Sequence, residues 1–418
     1  MERLSQVDMP DQLTPQMSAT PRVLPKHLLY SIFARIGGAG LDTDSFEALR
    51  ACYRGGFLGK AIAYDNRQHE IPSRFIQSLR WHPVRLISFL DRRYYYGAKK
   101  KYLDWIASRH LETGRFDFFH SWSGDCLETL RVAKRRQIPS LIEIPTWHRR
   151  SQQSAISNQR SEISGWKSRL LLERERFIEE YDLADLVVVL SEKAAESFRV
   201  AGFPEKKLFY LPRGVDIDRF KPGSELAAGR VRPTGGPDGL KRPDKFRVIF
   251  SGALIERKGI HHVLEAWHRL NLPNAELWLL GSVHDEAKPH LKKFWRDNIK
   301  TFGFVRDPEN YLNQGTIYVF PSRLEGSAKT IYEAAACGLP MITTREAGDV
   351  VRDGVEGMIV QPGDVDAIAG AIEHLHRHPE IVEQMSKAAR QRVVENFTWD
   401  HYRSRLLGAY ERAIQLAN

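Results

Sequence analysis

Short runs of apolar, often β-branched residues recur along this chain, and each is followed by a longer segment of mixed polarity. In the first half the runs lie at residues 27–34, 57–64, 116–122, 139–147 and 186–191. Runs this short, with little polar alternation, are typical of strands that are buried on both faces of a parallel sheet. The pattern therefore predicts an α/β domain over residues 27–212.

The pattern stops at residues 223–245, which are rich in Gly, Pro and charged residues and have no apolar period. We interpret this segment as an interdomain linker. The apolar runs then resume and predict a second domain over residues 246–395, followed by a C-terminal helix at residues 396–418 that packs back toward the first domain. Two such domains imply an α/β fold in which two Rossmann-like, doubly wound domains face each other across a cleft.

The amino-acid composition excludes several classes of protein. Of the 418 residues, 42% are apolar, which is enough for separate cores in two or three domains. The longest apolar runs, such as Leu186–Leu190, are far shorter than the ~20 residues of a membrane-spanning helix, and residues 1–26 read as a flexible polar tail rather than a signal peptide. Three widely spaced cysteines (Cys52, Cys126 and Cys337) offer neither a disulfide framework nor metal-ligand spacing. We therefore expect a cytoplasmic protein.

The net charge of +10 is spread unevenly. Residues 1–212 carry 33 Lys and Arg against 25 Asp and Glu, whereas residues 213–418 carry 29 against 27. Within the basic half, the stretch Arg74–Arg115 holds ten Lys or Arg against three acids, with eight interleaved aromatic residues. Such a stretch can lie on the inner, anionic face of a membrane. The alternative is a helical pair with aromatic residues in the core and charges in solvent. Nucleic acid is not an expected partner, because no recognition module accompanies the charge.

The segment Phe320–Pro340 places a predicted strand end, a loop and a helix in succession. Glu325 and Gly326 lie in the loop, and Ser327 is suited to N-cap the helix. Backbone N–H groups at a helix start favour an anion such as a diphosphate. Glu333, six residues on and so ~9 Å along the axis, could then reach the hydroxyl groups of a nucleotide ribose. The alternative is an ordinary strand-to-helix turn with two solvated glutamates.

A second candidate for anion binding, Ser251–Gly259, follows the first strand of the second domain. Arg257 and Lys258 are placed to reach a phosphate at the carboxyl edge of that strand, where open α/β sheets bind ligands. Two loops of this kind leave the same edge of one sheet, which favours a phosphate site over two solvated basic residues.

Taken in order along the chain, these segments resemble the retaining glycosyltransferases of family 4, which have the GT-B fold. The resemblance covers most of residues 184–410 and is looser over residues 27–150. It is carried by residues 184–192, 211–222, 251–259, 321–340, 346–364 and 396–402. It implies transfer of a sugar from a nucleotide-diphosphate sugar, with UDP more common than GDP, to a saccharide or lipid-linked acceptor with retention of configuration, as in cell-envelope polysaccharide or glycolipid biosynthesis.

The resemblance also implies roles for individual residues. Glu325 and Glu333 match the two glutamates of the family's E-x7-E motif, the first near the transferred sugar and the second on the ribose. Lys258 matches the lysine that neutralises the leaving diphosphate. His148 matches a histidine that faces the donor sugar, although a lone histidine is often structural.

The remaining donor-binding candidates include two departures from the family pattern. The usual Gly-Arg pair reads Gly252-Ala253, which leaves Arg257 as the candidate second phosphate ligand. The usual Asn of the hinge segment is Arg213. Four further residues, at the start of the donor helix and in the N-domain glycine loop, are expected to approach the donor: Ser327, Ala328, Gly37 and Gly38.

No cofactor and no metal are expected, because a lysine and a helix dipole can serve the phosphates. Asp42-Thr43-Asp44 and Asp216-Ile217-Asp218 have D-x-D form, but we interpret both as capping or structural. Two other functions of the same fold remain open: a nucleotide-sugar epimerase, and a catalytically inactive protein that binds sugar nucleotides at a membrane surface.

Overall fold

The computed structural model describes residues 23–38, 41–87, 89, 92–151, 166–223 and 245–418. The predicted polar tail up to residue 22 and the predicted linker between residues 223 and 245 lie outside the described residues.

The first domain is built on a parallel seven-stranded sheet with the strand order β3-β2-β1-β4-β5-β6-β7. Its strands are β1 Leu28–Ile36, β2 Leu58–Asn66, β3 Ile76–Ser78, β4 Phe118–Trp122, β5 Ser140–Ile144, β6 Leu186–Val189 and β7 Leu208–Tyr210. The helices are α1 Leu41–Arg54, α2 Arg92–Thr113, α3 Leu127–Arg135, α4 Trp166–Leu183 and α5 Glu192–Val200.

The second domain contains a parallel six-stranded sheet with the order β10-β9-β8-β11-β12-β13. Its strands are β8 Phe246–Ser251, β9 Ala275–Leu280, β10 Ile299–Gly303, β11 Ile317–Phe320, β12 Met341–Thr343 and β13 Gly357–Ile359. The helices are α6 Ile260–Arg269, α7 Lys288–Phe294, α8 Pro308–Leu312, α9 Lys329–Ala336, α10 Val365–Arg377 and α11 Pro379–Asn396, and α12 Trp399–Ala417 ends the chain.

Apolar side chains cover both faces of each sheet. In β1, Tyr30 and Ile32 belong to the cluster on one face and Leu29 to the cluster on the other. Every residue of β9 is buried. This two-sided burial explains the nearly continuous apolar runs in the sequence, and the predicted architecture of two doubly wound α/β domains is confirmed.

The last helix, α12, packs on the first domain although it follows the second in the chain. Trp399, Tyr402 and Tyr410 join the apolar cluster of the first sheet, and the Tyr410 hydroxyl lies 2.8 Å from His120 Nδ1. The chain therefore crosses between the domains a second time near residue 397. There Val215 N–H donates to the Phe397 carbonyl at 2.9 Å, so the two crossings lie side by side.

None of the helices in the described residues is both long and apolar enough to cross a membrane. Cys52, Cys126 and Cys337 are buried free thiols.

Candidate active site

The carboxylate of Glu325 meets two basic side chains at the carboxyl edge of the second sheet. Arg257 Nη1 donates to Glu325 Oε1 at 2.9 Å, and Lys258 Nζ lies 3.8 Å from the same oxygen. Arg257 also donates to the Leu324 carbonyl. The structure thus brings together three residues that the sequence placed in two separate loops.

Backbone contacts hold these two loops against each other. The Arg257 carbonyl accepts from Arg323 N–H at 2.9 Å and from Ser322 Oγ at 3.1 Å. Gly259 has φ +78°, and a Cβ there would lie 2.3 Å from the Pro321 carbonyl oxygen. Only glycine allows this conformation and this close approach, so the position of Arg257 and Lys258 depends on Gly259.

The Lys258 ammonium is held in a largely desolvated position. Its side chain is 18% exposed and its Nζ lies 5.3 Å from the centre of the Phe320 ring. Burial lowers the pKa of Lys258, and the Glu325 carboxylate opposes that shift. Gly252 has φ +143°, and a Cβ there would lie 3.0 Å from Nζ. A cation so placed interacts more strongly with an anion than one in water.

The start of α9 differs from the sequence prediction at Ser327. Ser327 does not cap the helix: the N-cap position is Ala328, and Ser327 Oγ bonds instead to the Tyr332 hydroxyl at 2.8 Å. Ala328 N–H is also occupied, because it donates to the Ala347 carbonyl at 2.8 Å. The prediction was wrong because the loop turns the Ser327 hydroxyl into the domain interior.

Glu333 is buried on α9, and burial raises the pKa of its carboxyl group, while Lys329 and Arg219 oppose the shift. Lys329 Nζ lies 3.8 Å from Glu333 Oε1. The structure therefore places Glu333 where an added hydrogen-bond donor, such as a ribose hydroxyl, would relieve the cost of burying a carboxylate.

The glycine turn of the first domain faces α9 across an interdomain cavity of about 600 Å³, which Gly37, Gly38 and Lys329 help to line. Gly37 has φ +84°. Thr43 Oγ1 donates to the Gly38 carbonyl at 2.9 Å and accepts from Lys329 Nζ at 3.3 Å. The turn is thus linked directly to the predicted donor helix.

Gly326 lies close against the first domain. A Cβ at this position would lie 2.2 Å from the carbonyl oxygen of Pro145, the residue after β5. A side chain would therefore push the Glu325 loop away from the first domain.

His148 lies within the first domain. Its ring is 4% exposed and packs against Tyr181 and Phe198, with ring centres 5.2 and 4.8 Å away. The backbone N–H of His148 donates to Ser197 Oγ at 2.8 Å, and the ring Nδ1 accepts from Arg150 N–H at 3.2 Å. These contacts are structural, and a catalytic role for His148 stays a prediction.

The D-x-D segments have local structural partners. Asp42 Oδ1 accepts from Arg35 N–H at 2.9 Å. Asp216 Oδ1 accepts from the N–H groups of Asp218 and Arg219 at 3.1 and 3.0 Å. In the part of the chain that the structure describes, no three His, Cys, Asp or Glu side chains meet in a metal-binding arrangement. Independence from metal remains a prediction.

The cations of the stretch Arg74–Arg115 do not all face solvent. Lys99 is buried, and its Nζ lies 4.1, 4.5 and 4.6 Å from the ring centres of Tyr64, Tyr95 and Tyr96. Lys100 pairs with Asp125 at 2.7 Å. Lys99 is therefore not one of the outward-facing cations, because Tyr64 of β2 and Tyr95 and Tyr96 of its own helix surround its ammonium group.

Other parts of this stretch are exposed. Trp81, Leu86 and Phe89 are 78%, 81% and 81% exposed, an unusual density of apolar surface for one loop. Six of its cations are also exposed: Arg74, Arg80, Arg85, Lys101, Arg109 and Arg115. Periodicity along the chain did not distinguish these residues from Lys99.

Two protein-family models match the sequence of this chain. Residues 63–219 match the family model described as Glycosyltransferase Family 4, and residues 245–378 match the model described as Glycosyl transferases group 1. This chain belongs to glycosyltransferase family 4. The two matches fall on the two domains in turn, and the Glu325, Arg257 and Lys258 cluster of this family 4 glycosyltransferase lies in the second.

Individual glycosyltransferases and related enzymes are also similar to this chain in sequence or in structure. The glycosyltransferase is 23% identical over 325 residues to α-maltose-1-phosphate synthase of Mycobacterium tuberculosis, covering 72% of this chain and 75% of the relative. Sucrose-phosphate synthase from Thermosynechococcus elongatus has a similar structure, with a TM-score of 0.70, 18% identity and coverage of 93% and 99%. Anabaena HepE in complex with UDP-glucose gives a TM-score of 0.62, 17% identity and coverage of 91% and 98%. The GT-B fold is thereby confirmed.

Proposed function

We propose that this glycosyltransferase transfers a sugar from a nucleotide-diphosphate sugar to an acceptor hydroxyl on a glycan, glycolipid or lipid-linked saccharide, with retention of anomeric configuration. The observation that carries the proposal is the meeting of Glu325, Arg257 and Lys258 at the carboxyl edge of the second sheet. This edge is where open α/β sheets bind ligands.

The chemistry that we propose is electrostatic. Breaking the bond between sugar and phosphate develops negative charge on the diphosphate and positive charge on the anomeric carbon. Lys258 and Arg257 stabilise the leaving diphosphate, and they do so most strongly in the transition state, where its charge is largest. No metal is required for this step in our proposal, because two cations are already present.

Glu325 is available to the sugar once the donor is bound. In the structure its carboxylate contacts both Arg257 and Lys258. A diphosphate that takes over Arg257 and Lys258 releases the carboxylate toward the positive charge that grows at the anomeric carbon. Glu325 thus exchanges one electrostatic partner for another during the reaction.

Contacts between the domains serve to exclude water. The Gly326 loop lies against the first domain, and Lys329 reaches Thr43. Closure at these two points aligns donor and acceptor and limits hydrolysis of the donor.

UDP is the donor nucleotide that we expect first, with GDP second. The neighbour HepE was crystallised with UDP-glucose, and it shares the fold of this chain. Binding of a panel of UDP- and GDP-sugars, measured by thermal shift, tests the nucleotide. Donor hydrolysis without acceptor then separates an enzyme from an inactive binding protein, and conversion of one nucleotide-sugar to its epimer would support the epimerase instead. A protein that binds no nucleotide-sugar contradicts all three.

We also propose that the protein acts at the cytoplasmic face of a membrane. Trp81, Leu86 and Phe89 are exposed beside the cations Arg80 and Arg85. Apolar rings next to basic residues suit the boundary between anionic headgroups and acyl chains. A lipid-linked acceptor would be presented at that surface.

A further inference from the structure

Lys329 connects the two sides of the interdomain cavity. It is the first residue of α9 in the second domain, and its ammonium donates to Thr43 Oγ1 of the first domain at 3.3 Å. Its other close partner is Glu333, 3.8 Å away, which is beyond hydrogen-bond distance. Among side-chain acceptors of the described residues, only Thr43 Oγ1 lies within hydrogen-bond distance of this ammonium, so two of its three donors are available.

Lys329 lies at the end of α9 where the phosphates of a bound donor are expected. Lys329 and Glu333 are four residues apart and so lie on one face of the helix. If Glu333 binds the ribose, Lys329 lies ~6 Å nearer the helix start, which is the direction in which the phosphates extend. The cavity at that point is also lined by Gly37 and Gly38.

The charges of the site leave a place for a further cation. Arg257 and Lys258 both face Glu325. Position 253 is alanine and contributes no charge. Lys329 lines the cavity next to the glycine turn. Three arginines also line it, but each is paired with a glutamate: Arg50, Arg219 and Arg403.

We propose that Lys329 binds a phosphate of the nucleotide donor and, through Thr43 and Gly38, joins the two domains around it. This rests on the proposed function. When the donor binds, Lys329 and Glu333 no longer face each other. Glu333 contacts the ribose of the donor and Lys329 contacts its phosphate. The cation is thereby coupled to closure of the cleft.

The test compares a nucleotide with its nucleoside. Affinities of UDP and uridine, and of GDP and guanosine, are measured by calorimetry for the full chain and for Lys329→Leu and Lys329→Arg. We expect Lys329→Leu to weaken UDP binding about tenfold or more while uridine changes little, because only UDP carries the phosphates. Lys329→Arg should retain most of the UDP affinity.

Two controls separate phosphate binding from other roles. Lys387 pairs with Glu383 in the same i, i+4 arrangement and is 77% exposed, and Lys387→Leu should change neither affinity. Thr43→Val removes the contact across the cleft but keeps the charge, and it should preserve the preference for UDP over uridine. Equal losses for UDP and uridine in Lys329→Leu, or the same result from Thr43→Val as from Lys329→Leu, would overturn the proposal.

The outcomes also distinguish this proposal from the one on which it rests. If the unaltered protein binds UDP or GDP and Lys329→Leu binds it equally well, only the role of Lys329 is wrong. If the unaltered protein binds neither nucleotide, both proposals are overturned.

Discussion

Arg213 and Asp44, 169 residues apart in the chain, form an ion pair that is almost completely buried between the hinge segment and the first helix. Each residue is unusual when taken alone. Arg213 stands where family 4 usually has asparagine, and Asp44 ends a D-x-D segment that we interpret from the sequence as capping or structural. Their pairing accounts for both, since a buried arginine requires an acidic partner.

The Arg213–Asp44 pair leads to a prediction about stability. Arg213→Asn or Asp44→Asn alone should lower the free energy of unfolding by ~3–5 kcal/mol, because each leaves a buried charge without its partner. The double variant should lose clearly less than the sum of the two. Urea denaturation of all four proteins gives the coupling directly, and strictly additive losses would show that the pair is not a unit.

Glu333→Gln should weaken UDP binding while leaving the fold intact, because the amide has nearly the shape of the carboxylate. A charged hydrogen bond is worth ~1.5–3 kcal/mol, so affinity should fall at least tenfold. Burial raises the pKa of Glu333, so its ionised form gains population as pH rises. UDP affinity should therefore change differently with pH in the unaltered protein and in the variant, because in the variant only the terminal phosphate of UDP still titrates over this range. Calorimetry at several pH values measures both, and a parallel pH profile in the variant would contradict the assignment.

Lys258→Ala should lower turnover ~100-fold or more, with a smaller effect on donor KM, because its partner charge grows in the transition state. Donor hydrolysis or sugar transfer under saturating donor provides the measurement. Lys288→Ala is the matched control, since Lys288 is an exposed lysine that pairs with Asp285. Unchanged turnover in Lys258→Ala would remove this residue from the proposed mechanism.

Replacement of Trp81, Leu86 and Phe89 by serine should abolish co-sedimentation with vesicles rich in anionic lipid, while donor hydrolysis continues. Binding of the unaltered protein should weaken with salt, because the Debye length falls from ~10 Å at 0.1 M to ~3 Å at 1 M. Trp295→Ser, at an exposed tryptophan of the second domain, serves as control. Charge reversal at residues 99–101 is a poor test, because it would place a carboxylate among the rings that enclose Lys99. Sedimentation that is absent at low salt, or unaffected by the triple change, argues for a soluble acceptor.

Asp349 should make the stability of the protein depend on pH. Its Oδ2 accepts from Glu192 N–H at 2.6 Å, so it links the second domain to α5, and burial raises its pKa from 3.8 to about 6. The folded state therefore binds the proton more tightly than the unfolded chain, and stability should rise as pH falls from about 6 toward 4, by up to ~3 kcal/mol. Asp349→Asn should lack this contribution. Denaturation of both proteins across that range tests it, and identical pH profiles would show that Asp349 does not titrate there.

The sequence predicts the fold of the second domain and the proximity of Lys258 to Glu325, and the reason is physical. Parallel strands bring their carboxyl ends to one edge, so residues that directly follow two neighbouring strands, such as Lys258 and Glu325, come together whatever the rest of the chain does. The orientation of Ser327 could not be read in this way, because it depends on the hydroxyl of Tyr332 and on a neighbouring loop. The Arg213–Asp44 pair was equally inaccessible, since the two residues are distant in the chain and no local pattern marks them. The burial of Lys99 depends in part on Tyr64, which lies on another element.

The position of α12 has a consequence for synthesis of the protein. The first domain is translated early, but part of one face of its sheet is covered by α12, which is translated after the second domain. The core of the first domain is therefore complete only after residues 399–417 have emerged, whereas residues 246–395 can fold before then. The first domain is thus translated before the second domain but completes its folding after it. A nascent chain that ends before residue 399 leaves part of one apolar face of the first sheet uncovered and accessible to chaperones.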